Sequence, residues 1–408
     1  RRAAYAALLC AFLAFLVRDA ATGEFYFRQR SLKRFGVGVS SIAYPDAAMD
    51  FLAAARAPGR VFCNYDIASY VAGRPGRSFP VFIDGRNLVY GEGLLRRYLD
   101  AMGDPASLDS LAEEYGVDAL LFSHASRDVK AILRPLWESA RWRPAYADDR
   151  SVVFLKAGRR PEIPRLDLAS CALPGVPSRG AFPLAELRAG EFFFNVGERA
   201  CARARFREAL ERRADLPEAR NFLGVIAAQE GDMAGAAKEF AAASALSRSY
   251  AEPRANLSGI LRGLGDAEGA VREAAGALRI APSNPHAREA LGLALMARGD
   301  LRGAREELEN ALRLSPSAER HSNLGVLLER AGETEGAAAE YEKARRLSPG
   351  HFAPRFNLAL LRQKAGDDEA AIALYEEALA IDPGNGPARR NLEALLARRR
   401  AAGGAEKR

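Results

Sequence analysis

The chain has 408 residues, is 49% hydrophobic, and carries 59 Lys and Arg against 52 Asp and Glu, a formal net charge of +7. That excess is mild for the length. Bases are interleaved with acids, as in Arg305-Glu306-Glu307 and Glu340-Tyr341-Glu342-Lys343, the pattern of solvated helix faces with i,i+4 pairs. No zinc-finger or glycine-rich RNA-binding signature accompanies it, so nucleic acid is not an expected partner. Four His and four Cys without C-x-x-C spacing give a zinc site little support, and no cofactor is expected.

Residues 1–18 contain the uncharged apolar run Ala3–Val17, bounded by Arg1-Arg2 and Arg18-Asp19. As a helix it spans about 22 Å, short of a ~30 Å hydrocarbon core. Two readings remain: the end of a transmembrane helix whose start is missing, or the apolar core of a secretion signal. The chain opens on Arg rather than Met, which favours the first. The expectation is a membrane contact through residues 3–17 and a juxtamembrane segment over 19–44.

Residues 45–157 alternate strand and helix signals. Arg60–Asn64, Pro80–Asp84 and Asp118–Phe122 read as buried strands, and Ile67–Ala72, Gly93–Met102, Leu108–Tyr115 and Val129–Ala140 as helices. Trp142–Ala147 and Ser151–Lys156 flank Asp148-Asp149 as a hairpin. The pattern predicts a small, mainly parallel α/β layer with an antiparallel edge. Asn64 and Asp66, Asp84 and Arg86, and Ser123 and His124 all follow strands on the carboxyl side, where an open parallel sheet forms its ligand crevice. The same residues are also ordinary turn chemistry, so a crevice and a turn scaffold both remain open.

This region resembles the extracytoplasmic tail domain of bacterial polytopic glycosyltransferases, enzymes that use a lipid-phosphate sugar donor. The resemblance covers 34–156. It is carried by Arg34-Phe35-Gly36-Val37-Gly38, Tyr44-Pro45, Val61-Phe62-Cys63-Asn64-Tyr65-Asp66, Val81-Phe82-Ile83-Asp84-Gly85-Arg86 and Tyr90-Gly91. The chain departs at Ile67-Ala68-Ser69-Tyr70, where the family commonly has paired glycines. The family's catalytic acidic loop lies in a membrane portion outside this sequence. The resemblance therefore implies location and ancestry, with no catalytic residue in this chain.

Residues 158–182 hold Pro161, Pro164, Pro174 and Pro177 and read as a semi-rigid linker. Cys171 and Cys201 flank this junction, and pairing between them is left open by sequence.

From 183 the chain repeats. Gly190, Gly224, Ser258, Gly292, Gly325 and Ala359 are spaced by 34, 34, 34, 33 and 34 residues. Ala202, Ala236, Ala270, Ala304, Ala337 and Ala371 run in phase with them, as do Ala209, Ala243, Ala277, Ala311, Ala344 and Ala378. In one unit Ala287–Ala297 is a helix, Gly299-Asp300 a turn, and Ala304, Leu308, Ala311 and Leu312 the stripe of a second helix, stopped at Ser315-Pro316. Six such units over 183–385, a closing helix over 386–400 and a frayed tail over 401–408 are expected. Leu291-Gly292, Gly299, Ala304, Leu308, Ala311 and Pro316, with their counterparts in the neighbouring units, resemble the tetratricopeptide repeat family. The resemblance implies a right-handed superhelix of helix pairs that binds proteins or peptides on its inner surface.

Asn256, Asn323, Asn357 and Asn391 recur two residues before the small-residue ladder, with Ala290 in the missing slot. An amide both donates and accepts, so a row of them can hold an extended peptide; the same amides can instead tie adjacent helices together. The whole chain is thus expected as a membrane helix, a small α/β domain and an all-α superhelix. Its expected function is that of a membrane-anchored scaffold, extracytoplasmic (periplasmic), with a protein or peptide partner in the groove. Two alternatives stand: the tail of a longer polytopic glycosyltransferase, and a small-ligand-binding α/β domain coupled to the array.

Overall fold

The computed structural model describes residues 45–56, 59–73, 79–82, 87–124, 126, 128–173 and 183–405. The chain divides into two compact units, Arg1–Leu223 and Gly224–Arg408. Among the described residues no helix is long and apolar enough to cross a membrane. The apolar run 3–17 and the segment 19–44 lie outside the described residues, as do Asp84 and Arg86.

The first unit opens with α1 (Asp46–Ala54), β1 (Arg60–Cys63), α2 (Tyr65–Gly73), α3 (Asn87–Gly103), α4 (Pro105–Glu114) and β2 (Val117–Ser123). It continues with α5 (Lys130–Glu138) and the hairpin β3 (Trp142–Ala147)–β4 (Ser151–Lys156). α4 begins where the Asp104 carboxylate accepts from the Ser107 backbone N–H at 2.8 Å and Pro105 takes a first-turn position that needs no N–H donor.

The strands form one sheet of order β1-β2-β4-β3. β1 pairs parallel with β2, whereas β2–β4 and β4–β3 are antiparallel. The expected mainly parallel layer is therefore corrected to a mixed sheet. The reason is the hairpin: it inserts its second strand beside β2 and so supplies two antiparallel pairings. Of the expected strand at 80–84, the described residues 80–82 form one parallel bridge, Val81 to Val61. Pro80 accepts there from the Val61 N–H but has no N–H to extend the ladder.

Both faces of the sheet are covered. Val61, Cys63, Ala119, Leu121, Val153 and Leu155 pack on one side with Met49 and Leu52 of α1 and Ile67 and Val71 of α2. On the other side Phe62 stacks on Tyr98 of α3 at 5.3 Å and Phe154 meets Trp137 of α5 at 6.3 Å. Burial on both faces explains why β2 is a continuous apolar run rather than an alternating one.

The same unit includes the first helix pair, α6 (Leu184–Val196) and α7 (Arg199–Arg212). Phe192 of α6 lies against the His124 ring at 5.0 Å and the Trp137 ring at 5.8 Å, and Lys130 pairs with Glu191 at 3.5 Å. The described part of the proline-rich segment is drawn onto the unit. The Leu166 N–H donates to Pro144 O at 2.8 Å, Leu168 is buried, and Cys171 is disulfide-bonded to Cys201 of α7.

The second helix pair is α8 (Pro217–Gln229) and α9 (Met233–Leu246); the boundary between the two units falls within α8. Then follow α10 (Glu252–Gly263), α11 (Ala267–Ile280), α12 (Pro285–Arg298), α13 (Leu301–Leu314), α14 (Ala318–Arg330), α15 (Thr334–Leu347), α16 (Phe352–Lys364), α17 (Asp368–Ile381) and the closing α18 (Gly386–Ala405). One apolar core runs from Leu295 to Leu395 through successive pairs. No pair could bury that surface alone, which is the physical basis of a stacked array.

Four of the six helix pairs are punctuated the same way. The first helix of the α12–α13 pair ends on Gly299 at φ 93, a left-handed residue whose conformation suits glycine. Asp300 then accepts from the Gly303 N–H at 3.0 Å to start α13. Asp232, Asp266 and Asp367 cap α9, α11 and α17 in the same manner. The small-residue ladder marks the close crossings. A Cβ on Gly224 would stand 2.7 Å from the Phe240 ring, one on Gly292 2.7 Å from Leu308 Cγ, and one on Gly325 2.5 Å from the Tyr341 ring.

Candidate functional site

In the first unit the carboxyl ends of β1 and β2 bring together three of the expected crevice residues. Asn64 Oδ1 accepts from the Ser123 N–H at 2.8 Å, and Asn64 Nδ2 donates to Ser126 Oγ at 3.0 Å and to Asp66. Ser126 Oγ donates in turn to Asp66 Oδ2 at 2.5 Å. These groups satisfy one another and lock the start of α2 to the end of β2. Burial, then the neighbouring Asp66 carboxylate, pushes the Asp128 carboxyl above its ordinary range.

His124 is not brought into this cluster. It is fully buried, with Nε2 2.8 Å from Asp148 O and its ring against Phe192. Burial outweighs the pull of Asp148 and lowers its pKa to about 4, so the ring is neutral near pH 7. It works at the packing of the sheet on α6.

In the second unit the first helices α8, α10, α12 and α14 meet at one open pocket. It has a volume of about 540 Å3 and is lined by Val225, Asn256, Ile260, His286, Glu289 and Arg320, among others. Asn256 Oδ1 is 3.2 Å from His286 Nε2, the ring nitrogen donating, and Asn323 Nδ2 donates to Glu289 Oε1 at 2.7 Å. Asn391 Nδ2 donates to Tyr375 Oη at 3.0 Å. Asn357 is half-buried and makes no side-chain hydrogen bond with the described residues. Three of the four amides therefore each bond a side chain from another helix of the array.

Sequence reasoning passed over the ionic centre of this pocket. Glu289 is 7% exposed and pairs with Arg320 at 3.1 Å. Burial pushes the Glu289 carboxyl above its usual range, and Arg320 pulls the other way. The available signal was register: Glu289 sits three residues before Gly292, on the same face as the asparagines but acidic in one repeat only. A second ladder was also missed. Arg254–Glu273, Arg288–Glu307 and His321–Glu340 join the two helices of successive pairs at 2.8, 2.8 and 2.6 Å.

Family models described as tetratricopeptide repeat match residues 187–252, 258–319 and 289–352, and another of the same description matches 328–398. This chain is a tetratricopeptide repeat protein. It is similar in structure to the APC/C hetero-tetramer Cut9-Hcn1, at 21% identity and a TM-score of 0.49, over 53% of this chain and 43% of that one. It is also similar to a thermophilic TPR protein of Thermus thermophilus, TTC0263, at 25% identity and a TM-score of 0.40, over 44% of this chain and 98% of that one. A third likeness is to Pseudomonas aeruginosa pilF, at 20% identity and a TM-score of 0.43, over 53% of this chain and 97% of that one. This chain thus spans less than half the length of the Cut9-Hcn1 chain it matches. No curated protein matches it.

Proposed function

We propose that this protein is a scaffold that holds an extended segment of a protein partner along the groove of residues 224–408, outside the cytoplasm and tethered at the membrane by residues 3–17. The observation that carries the groove reading is the open pocket on the first helices of the array, with apolar walls and a few oriented polar groups, the composition of a recognition site. Concave helical arrays present such extended surfaces.

The location is supported by two separate features. The Cys171–Cys201 disulfide belongs in an oxidising compartment. The segments of 34–156 that resemble glycosyltransferase tail domains imply the same side of the membrane.

A photo-crosslinking amino acid tests the groove. Placed at Val326 or Leu360, which share the helix register of the pocket wall, it is expected to yield discrete protein adducts in cells. Placed at Leu314, exposed near the end of a second helix, it is expected to yield none. Equal adducts at all three positions, or none at any, overturn the reading. Protease protection of residues 45–400 in intact cells, lost on permeabilising the outer barrier, tests the location.

A further inference from the structure

A further series runs one residue after the small-residue ladder: Val225, Gly259, Leu293, Val326 and Leu360, spaced by 34, 34, 33 and 34 residues. Val225, Leu293, Val326 and Leu360 are half-buried branched apolar side chains of the first helices, and Val225 and Leu293 line the pocket. Gly259 is the exception. It is exposed, and a Cβ built there would meet nothing within 4 Å. The asparagine series lapses at the adjoining repeat, where Ala290 stands in place of an amide.

The 540 Å3 pocket opens where these two series fail together: both Gly259 and Ala290 line it. Two larger side chains that other repeats carry at these registers are missing there. The volume lies within the roughly 300–1,000 Å3 of ligand pockets. Val225, Ile260 and Leu293 wall it.

Two charges border it. Arg262, near the end of α10, and Glu319, in the first turn of α14, both line the pocket and make no ion pair with any described residue. First helices of successive pairs run in the same direction, so these two groups stand toward opposite rims. Glu289 and Arg320 between them already neutralise each other.

We infer that this pocket is a socket for one bulky apolar side chain of a partner's extended segment, with an acidic residue on the Arg262 side of that anchor and a basic residue on the Glu319 side. The inference rests on the groove reading above and names what that groove selects. Groups at the two rims orient the segment by charge, and the socket sets its register along the array.

The test uses the full chain and a displayed library of random dodecapeptides as the probe. Peptides selected on the wild-type protein are expected to share one Leu, Phe or Trp flanked by an acid and a base. Gly259→Leu fills the socket and is expected to weaken these peptides at least tenfold, with Gly259→Ala intermediate. Neither variant is expected to lower the melting temperature, because the added atoms enter open space and a helix-interior glycine is replaced by a better helix former. Arg262→Glu is expected to exchange the preferred acid for a base. If selected peptides compete for the groove but bind Gly259→Leu as tightly as wild type, the socket is overturned while the groove reading stands. If the library yields no binder, both are overturned.

Discussion

Single residues in this protein act through distance and burial. Gly292 is the plainest case, since any side chain there runs into Leu308 2.7 Å away. Gly292→Leu is expected to lower array stability by about 1–3 kcal/mol through overpacking, more than the improved helix propensity returns. Urea unfolding of the full chain measures it, and an unchanged midpoint would remove the close crossing from the account. His124 makes a second prediction. Burial favours its neutral form in the fold, whereas the unfolded chain takes up a proton near pH 6.5. The unfolded state therefore binds more protons between about 6.5 and about 4, and stability falls as pH drops through that window. The first unit is expected to lose on the order of 3 kcal/mol across it. His124→Gln, which can still donate to Asp148 O, should flatten that slope in thermal melts taken at successive pH values. His124 was legible in sequence only as a residue following a strand. That its ring turns away from Asn64 and Asp66 toward Phe192 depends on a helix about 70 residues downstream, a contact no local pattern carries.

At the scale of elements the repeat punctuation was largely legible. Gly-Asp at the turn predicts a left-handed cap followed by an aspartate N-cap, and Asp232, Asp266, Asp300 and Asp367 all perform it. The first and fifth pairs depart: Glu198 and Glu333 stand at the caps of α7 and α15 and make no side-chain cap bond, their chains being one methylene longer than aspartate's. Glu333→Asp is expected to add about 0.5–1 kcal/mol by giving the Gly336 N–H an acceptor. Chemical denaturation of the single variant checks this, and a destabilised variant would show that the Glu333 pairing with Arg305 matters more than the cap. In the sheet the element signals were right in kind and wrong in pairing. Strand runs and the Asp148-Asp149 turn mark the hairpin, yet nothing local says which of its strands joins β2. Only the packing of Val153 and Leu155 into the core beside Ala119 and Leu121 settles that β4 does, and with it the mixed character of the sheet.

For the molecule as a whole, the first helix pair is shared property of repeat and sheet. Its α6 closes the sheet's aromatic side through Phe192, and the disulfide ties the segment before it to α7. The bridge closes a stretch with a sequence separation of 30, which in the chain-entropy view corresponds to roughly 3–4 kcal/mol. Cys171→Ser with Cys201→Ser is expected to lower the melting transition of the first unit by that order, and dithiothreitol should do the same to the wild type but nothing further to the double variant. Sequence alone determined the helical array, its period, its turns and the small residues at its crossings, because those obey short-range periodicity and steric rules repeated six times over. Only the tertiary structure decided the strand pairing, the burial of His124, the joining of Cys171 to Cys201 and the pocket beside Gly259. Each of these is a relation between residues far apart in the chain, and such relations exist only once the intervening segments have packed.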